Sequence, residues 1–210
     1  MIENIKVSPS LLDGFANMLV GKWANDTEEN LIARINKKAE FLQTEAMHRG
    51  TAFHDLTSGK LNIQPKNGIY QVEWFKFDAK VVEEVQSERT GAFHEQFVGR
   101  EIPSQWGNVW LYGYVDDIFP LEIKDMKTCR QYYQEGYSDS WQWKTYLYCA
   151  GSDKFTYIIT DFANVYYEEY WRTPTLQQSL TGIINKFSEF IFDNKDKIDL
   201  NLITYPERNV

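Results

Sequence analysis

Apolar positions recur every three or four residues near both ends of the chain and alternate with polar ones in its middle. Ser8-Pro9-Ser10 stands ahead of Leu11, Leu12, Phe15 and Leu19. A serine placed to cap, a proline at an early helical position and a helical stripe predict a short first helix. Asp26-Thr-Glu-Glu opens a second pattern, in which Leu31, Ile35, Ala39, Leu42 and Ala46 predict one longer helix running to about Leu56. Turn residues fill the stretch from Gly59 to Gly68. From Ile69 to Glu88 the pattern is mixed, an aromatic run (Trp74, Phe75, Phe77) before a helical Val81, Val82, Val85.

Between Phe93 and Thr128 the chain turns β-rich. Glu95 to Ile102, Val109 to Ile118 and Leu121 to Thr128 read as three antiparallel strands, broken by Pro103, Gly107 and Phe119-Pro120. Asp139 to Ala150 reads as helix, Lys154 to Thr160 and Val165 to Tyr170 as strands. Leu180, Ile183, Ile184, Phe187, Phe190 and Ile191 form the apolar face of a closing helix. Helices, a sheet, a helix, more strand and a last helix predict an α/β or α+β core.

Composition narrows the class. With 210 residues, 43% apolar and without a low-complexity run, a single domain spanning 1–210 is expected. A chain of this length buries about 70% of its unfolded surface and needs no disulfides. No apolar run reaches the length of a membrane span, and the first residues show no basic segment leading into an apolar one. A soluble cytoplasmic protein, host-cytoplasmic if phage-encoded, with no membrane contact is the expectation. Cys129 and Cys149 are too few for a four-cysteine zinc site or an iron-sulfur cluster and read as free thiols. The formal charge of -8 opposes nonspecific adhesion to nucleic acid. It leaves open an acidic metal site acting on DNA.

The chemistry concentrates in Gly113-Tyr-Val-Asp-Asp-Ile-Phe-Pro-Leu-Glu-Ile-Lys-Asp-Met-Lys-Thr128. On a strand, Asp125 and Lys127 share a face, and Asp116 lies on the preceding strand of the same hairpin. Two carboxylates and an ammonium converge there, and carboxylate oxygens are hard ligands suited to Mg²⁺. Such an ion activates water and offsets the charge of phosphodiester cleavage. An acid-x-Lys triplet alone says little. Four occur, ending at Lys80, Lys124, Lys127 and Lys195, where chance gives roughly two. The context distinguishes Lys127: Gly-x-x-Asp from Gly113 to Asp116, Thr128 immediately after, Gly50-Thr-Ala-Phe-His54 before and Gln142-Trp-Lys-Thr-Tyr146 after.

This ordered set, Gly-x-x-x-His, Gly-x-x-Asp, Asp-x-Lys-Thr and Gln-x-x-x-Tyr, resembles the PD-(D/E)xK nuclease superfamily, in its RecB-type, lambda-exonuclease-like branch. The opening Val7-Ser-Pro-Ser-Leu-Leu-Asp-Gly-Phe also resembles a helix start common there, so the motifs span about two thirds of the chain. The resemblance implies a restriction-endonuclease-like core, a central mixed sheet flanked by helices. It implies a metal-dependent deoxyribonuclease, an exonuclease in recombination, repair or phage DNA processing, using Mg²⁺ or Mn²⁺. Asp116 and Asp125 would bind the ion with the carbonyl of Met126, His54 would be a further ligand, and Lys127 the catalytic lysine. Gln142 and Tyr146 would orient catalytic groups and contact the DNA strand. The cluster-bearing members of this branch need four cysteines, which excludes that subgroup. The resemblance leaves room for a recombinase or helicase partner and for a homo-oligomer, neither of which any residue here identifies.

Each assignment has a competitor. Asp117 could replace Asp116, and only the spacing from Gly113 favours Asp116. Glu122-Ile-Lys124 could replace Asp125 and Lys127, but strand parity puts it on the opposite face. Asp125 is preferred because pairing Asp116 with Glu122 leaves room only for a very tight hairpin, and because Thr128 follows. An ordinary surface ion pair is the alternative for Asp125 and Lys127, and a packed or surface residue for His54. Glu95 is a minor further candidate ligand. The 7 Trp and 13 Tyr are compatible with base stacking or sugar stacking, though core packing is their default. Two other functions therefore stand beside the nuclease: a degenerate nuclease fold that binds DNA or protein, and an aromatic-rich carbohydrate-binding protein.

Overall fold

The computed structural model describes residues 4–39 and 43–205. A central mixed sheet carries helices on both faces. Strand β1 (Ile5–Val7) leads into helix α1 (Pro9–Val20). The Ser8 hydroxyl accepts from Leu11 N, Pro9 occupies the first turn, and Gly21 closes the helix at φ 60°. Helix α1 buries Leu12 and Phe15.

The single long helix expected from Asp26 to Leu56 is instead two, α2 (Glu28–Ile35) and α3 (Glu45–Thr57). Lys37, at φ 54°, turns the chain out of α2. Thr44 begins α3 afresh, its hydroxyl accepting from Met47 N at 3.2 Å. Ala39 is exposed, and Leu42 lies outside the described residues. A capping threonine thus overrides an apolar period that happened to stay in phase.

The mixed stretch resolves into a hairpin, β2 (Ile69–Val72) and β3 (Phe75–Asp78), and helix α4 (Ala79–Arg89), capped by Asp78. Strands β4 (Phe93–Ser104), β5 (Gly107–Phe119) and β6 (Glu122–Thr128) follow as consecutive antiparallel neighbours. Helix α5 (Trp141–Ala150) crosses over to β7 (Lys154–Thr160), parallel to β6. Strand β8 (Val165–Trp171) pairs antiparallel with β7, and α6 (Leu176–Asp193) closes the domain face. The sheet order is β1-β5-β6-β7-β8, with β4 along the other edge of β5.

Two cores flank this sheet. Helices α1, α5 and α6 enclose Phe15, Leu111, Ile123, Leu147, Phe155 and Phe187. On the other face α3, α4 and the β2–β3 hairpin enclose Phe53, Leu56, Phe77 and Val82 against Met126 and Ile158. Cys129 and Cys149 are free thiols. Among the described residues no helix is long and apolar enough to cross a membrane.

Candidate active site

The site begins where two strands part. The edge of β5 is shared: β1 occupies it at Val109–Leu111 and β6 at Asp117–Phe119. The β5–β6 ladder holds the pairs Asp117↔Lys124, Ile118↔Ile123 and Phe119↔Glu122, after which β6 follows β7. The next position brings Asp116 and Asp125 opposite each other just as the backbone bonds stop. Met126 N–H, left without a carbonyl from β5, donates to Asp116 Oδ2 at 3.1 Å. In an extended strand the N–H and C=O of one residue leave by the same edge, so the Met126 carbonyl also faces this gap.

Phe119 pairs directly with Glu122, across a turn in which Leu121 takes φ 76°. A tight hairpin does form, but in a register that sets Asp116 opposite Asp125 and not opposite Glu122. What sets Glu122 and Lys124 apart from the site is facing. Glu122 binds Thr156 Oγ1 and Lys154, while Lys124 Nζ donates to Glu88 Oε2 at 2.8 Å.

His54 arrives from α3, its Nε2 3.5 Å from Asp116 Oδ2. One turn earlier, a Cβ on Gly50 would come 2.8 Å from Thr128 Oγ1. The missing side chain lets α3 lie close on the end of β6, which explains physically why Gly-x-x-x-His and Asp-x-Lys-Thr occur together. Gly113 does the same for α5: a Cβ there would meet Tyr146 Cε1 at 2.8 Å. Tyr146 is buried and donates to the Tyr114 carbonyl at 2.7 Å, which ties α5 to β5 two residues before Asp116. Its hydroxyl is directed at backbone, away from solvent. Gln142, one turn N-terminal, reaches the acidic pair, its Nε2 3.3 Å from Asp125 Oδ1.

Lys127 Nζ lies 2.5 Å from Asp125 Oδ2 and 5.7 Å from the centre of the Tyr157 ring. The contact with Oδ2 is one of charge more than of a well-directed hydrogen bond, since that oxygen is buried without a hydrogen-bond partner of good geometry. Burial pushes the Asp125 carboxyl up to about 7, with the charge of Asp116 adding and that of Lys127 opposing. Burial also works against charge on Asp116 and Lys127. For Asp116, His54 and then Lys127 outweigh it and hold the carboxyl below its ordinary range. For Lys127, Asp125 and then Asp116 outweigh it and hold the ammonium above the ordinary lysine range. Two carboxylates, Asp125 buried and Asp116 partly exposed, thus share one partly exposed ammonium.

The structure therefore brings together Asp116, Asp125, Lys127, His54, Gln142 and the backbone of Met126, and sets Tyr146 behind them as a brace. Glu95 stands at the rim, at φ 52° and in an ion pair with Lys60. Asp117 points away and is fully buried against Arg89. Two residues without a sequence signal also belong here. Asp13 of α1 accepts from Ser140 Oγ at 2.9 Å and from Trp141 N at 2.5 Å, so it caps α5 from a distance in sequence. Tyr157 of β7 touches Gln142. A cavity of about 500 Å³ opens beyond Thr128, lined by Met47, Arg49, Cys129, Arg130 and Phe162.

Donors suited to a divalent cation are the Asp116 and Asp125 carboxylates, the His54 imidazole and the Met126 carbonyl, all hard oxygen or nitrogen atoms. Among the described residues, no three His, Cys, Asp or Glu side chains are arranged as a ready-made coordination shell. Asp125 is the buried member of the set, its Oδ2 against the Lys127 ammonium and its Oδ1 against the Gln142 amide.

No protein-family profile matches the sequence, and no curated protein matches it. Solved structures do match the fold. A protein of Eubacterium rectale assigned as an exonuclease is 13% identical, with a TM-score of 0.59 over 97% of this chain and 90% of its own. An alkaline exonuclease from Laribacter hongkongensis is 14% identical, with a TM-score of 0.51 over 91% of this chain and 89% of its own. At these identities the likeness is one of fold: the mixed sheet flanked by helices is shared.

Proposed function

We propose that the chain is a divalent-metal-dependent DNA nuclease that hydrolyses phosphodiester bonds. We read it as an exonuclease acting on strand ends in recombination, repair or phage DNA processing. One observation carries the reading: the parting of β5 and β6 sets Asp116 and Asp125 opposite each other, with Lys127 against one and His54 against the other. The shared fold with structures named as exonucleases supports it.

The donor set fits Mg²⁺ or Mn²⁺, because facing carboxylates, one of them buried, call for more positive charge than Lys127 supplies. Asp116, Asp125 and the Met126 carbonyl would hold the ion, with His54 as a further ligand. When bound, the ion supplies an activated water and countercharge at the phosphate. The chain's own residues do the rest. Lys127, kept charged by its two carboxylates, places a positive group where charge gathers on the phosphoryl oxygens as the water oxygen bonds to phosphorus and the opposite P–O bond breaks. Charged, it is also a donor that positions the attacking water, whose proton is given up to solvent while solvent protonates the departing oxygen. Gln142 fixes the plane of the Asp125 carboxylate. Arg49 and Arg130, which share the cavity beyond Thr128 with Glu45 and Asp161, are the cations placed to meet neighbouring phosphates of the strand.

The test incubates the purified protein with linear and with covalently closed circular DNA, in Mg²⁺ or Mn²⁺ and then in excess chelator. Metal-dependent loss of linear DNA alone is the expected result. Cutting of circles would make it an endonuclease, and DNA binding without cleavage would leave only the degenerate scaffold.

A further inference from the structure

Tyr157 sits directly beside Asp125 in the parallel β6–β7 ladder, so the two side chains leave the same face of the sheet. Its ring is fully buried, packed on Phe155 at 4.7 Å and Tyr137 at 4.8 Å. Its hydroxyl reaches Gln142 Oε1 at 3.3 Å and Ser140 Oγ at 3.4 Å. The proton of Ser140 is directed at Asp13 Oδ2, 2.9 Å away, so Ser140 offers Tyr157 only lone pairs. On its other side Gln142 presents Nε2 to Asp125 Oδ1. Ser140 Oγ and Gln142 Oε1 are thus alternative acceptors for the single Tyr157 proton, and polar contacts run from Tyr157 through Gln142 to Asp125.

An amide has a donating and an accepting end, and an ionised carboxylate only accepts. Gln142 supports Asp125 in one orientation and repels it in the other. The oxygen that faces away from Asp125 must meet a donor, and the Tyr157 hydroxyl is the donor that meets it. We propose that Tyr157 is a positioning residue, whose hydroxyl donates to Gln142 Oε1 and so holds the Gln142 amide with its NH₂ on Asp125. Its consequence for turnover rests on the nuclease reading; the relay itself does not.

Tyr157→Phe removes one oxygen and keeps the ring. With linear DNA and Mg²⁺, kcat is expected to fall about ten- to a hundredfold with KM changed less than about twofold, the pattern of a misplaced group. Gln142→Ala should lose a similar amount, and adding Tyr157→Phe to it should change kcat less than about twofold, because residues acting through one contact are not additive. Wild-type kcat in Tyr157→Phe, or losses that multiply in the double variant, would overturn the proposal. A second readout needs neither metal nor DNA. In the wild-type protein the two Gln142 side-chain amide protons should give separate, slowly exchanging NMR signals, and Tyr157→Phe should speed their exchange at least about tenfold. Rapid exchange in the wild type, or equal exchange in both proteins, sinks the relay. If Tyr157→Phe does not fold, the wild-type signals alone decide. If the wild type cleaves no DNA, the nuclease reading fails while these signals still judge the relay.

Discussion

Asp116 and Asp117 are neighbours on β5, and each sits in a cluster of charged groups on a different side of the strand. Around Asp117, Arg89 Nε lies 2.8 Å from Oδ2, Arg89 Nη2 3.2 Å from Oδ1 and His94 Nδ1 2.5 Å from Oδ1. Arg89 Nη1 goes on to Thr57 Oγ1 at 3.1 Å. The Nε contact is short but poorly aimed, so the pair is held more by charge than by hydrogen-bond direction. Even so, Asp117 has a buried guanidinium of its own. Asp116 and Asp125 have one ammonium and one imidazole between them, and the Asp125 carboxyl is pushed up to about 7. The ingredients are alike, and the difference is the balance of charge: one carboxylate faces a guanidinium and an imidazole, whereas two carboxylates share an ammonium and an imidazole. The matched carboxylate fastens α4 to the sheet; a pair left short of positive charge is a place for a ligand that brings it.

The difference is broken most severely from the open side. Asp125→Asn or Lys127→Ala is expected to abolish DNA cleavage, since each removes a group worth several kcal/mol to a metal-assisted phosphoryl transfer. Urea unfolding of the metal-free Asp125→Asn protein should show stability equal to or above wild type, because one of two facing carboxylates is gone. Glu122→Ala, whose carboxylate binds only Thr156 and Lys154, should cleave nearly as well as wild type. The reverse ranking would move the site to the Glu122–Lys124 face.

The closed side should answer in the opposite currency. Arg89→Met leaves Asp117 buried without its cation and should cost about 3–5 kcal/mol of stability in urea unfolding. Activity per folded molecule should stay close to wild type. Pairing it with Asp117→Leu should recover most of that loss, since an apolar pair of similar volume has no charge left to desolvate. If Arg89→Met instead kills activity in a protein that unfolds normally, the two clusters are one site.

Much of this was readable in the residues, for reasons that differ from place to place. Ser8-Pro9 fixes the start of α1 because the capping bond is local. The alternation from Val109 to Thr128 gives the strands, and parity alone separates Asp125 and Lys127 from Glu122 and Lys124. Other features carry no local signal. Strand β1 has three residues, too few for a period, yet it takes the same edge of β5 that β6 uses further along. Thr44 could have been read as a cap, but the apolar positions ran on in phase across it. Asp13 and Tyr157 reach the site from distant parts of the chain, and no spacing rule connects them to Gln142. The tight Phe119–Glu122 hairpin is not announced by its residues, because it needs Leu121 at φ 76°, a conformation that turn chemistry gives mainly to glycine and asparagine.

The smallest effect tests how finely the open cluster depends on backbone approach. Gly50→Ala adds one methyl, and that methyl would stand 2.8 Å from Thr128 Oγ1, closer than packed atoms allow. Helix propensity favours alanine over glycine by about 1 kcal/mol, so the strain and the propensity should nearly cancel and thermal unfolding should shift little. Geometry has no such compensation. Unless Thr128 turns its hydroxyl aside, helix α3 rides outward, His54 sits one turn further along it, and its 3.5 Å approach to Asp116 opens. A fall of about tenfold in kcat is expected from a displacement of a fraction of an ångström. Thr128→Ala removes the obstructing hydroxyl and methyl, and in the Gly50→Ala background it should return most of the lost activity. Rescue would show that the glycine matters for the distance it permits. Failure of Thr128→Ala to restore cleavage would assign the loss to something other than the α3–β6 contact, and the link drawn between the first and third motifs would fall with it.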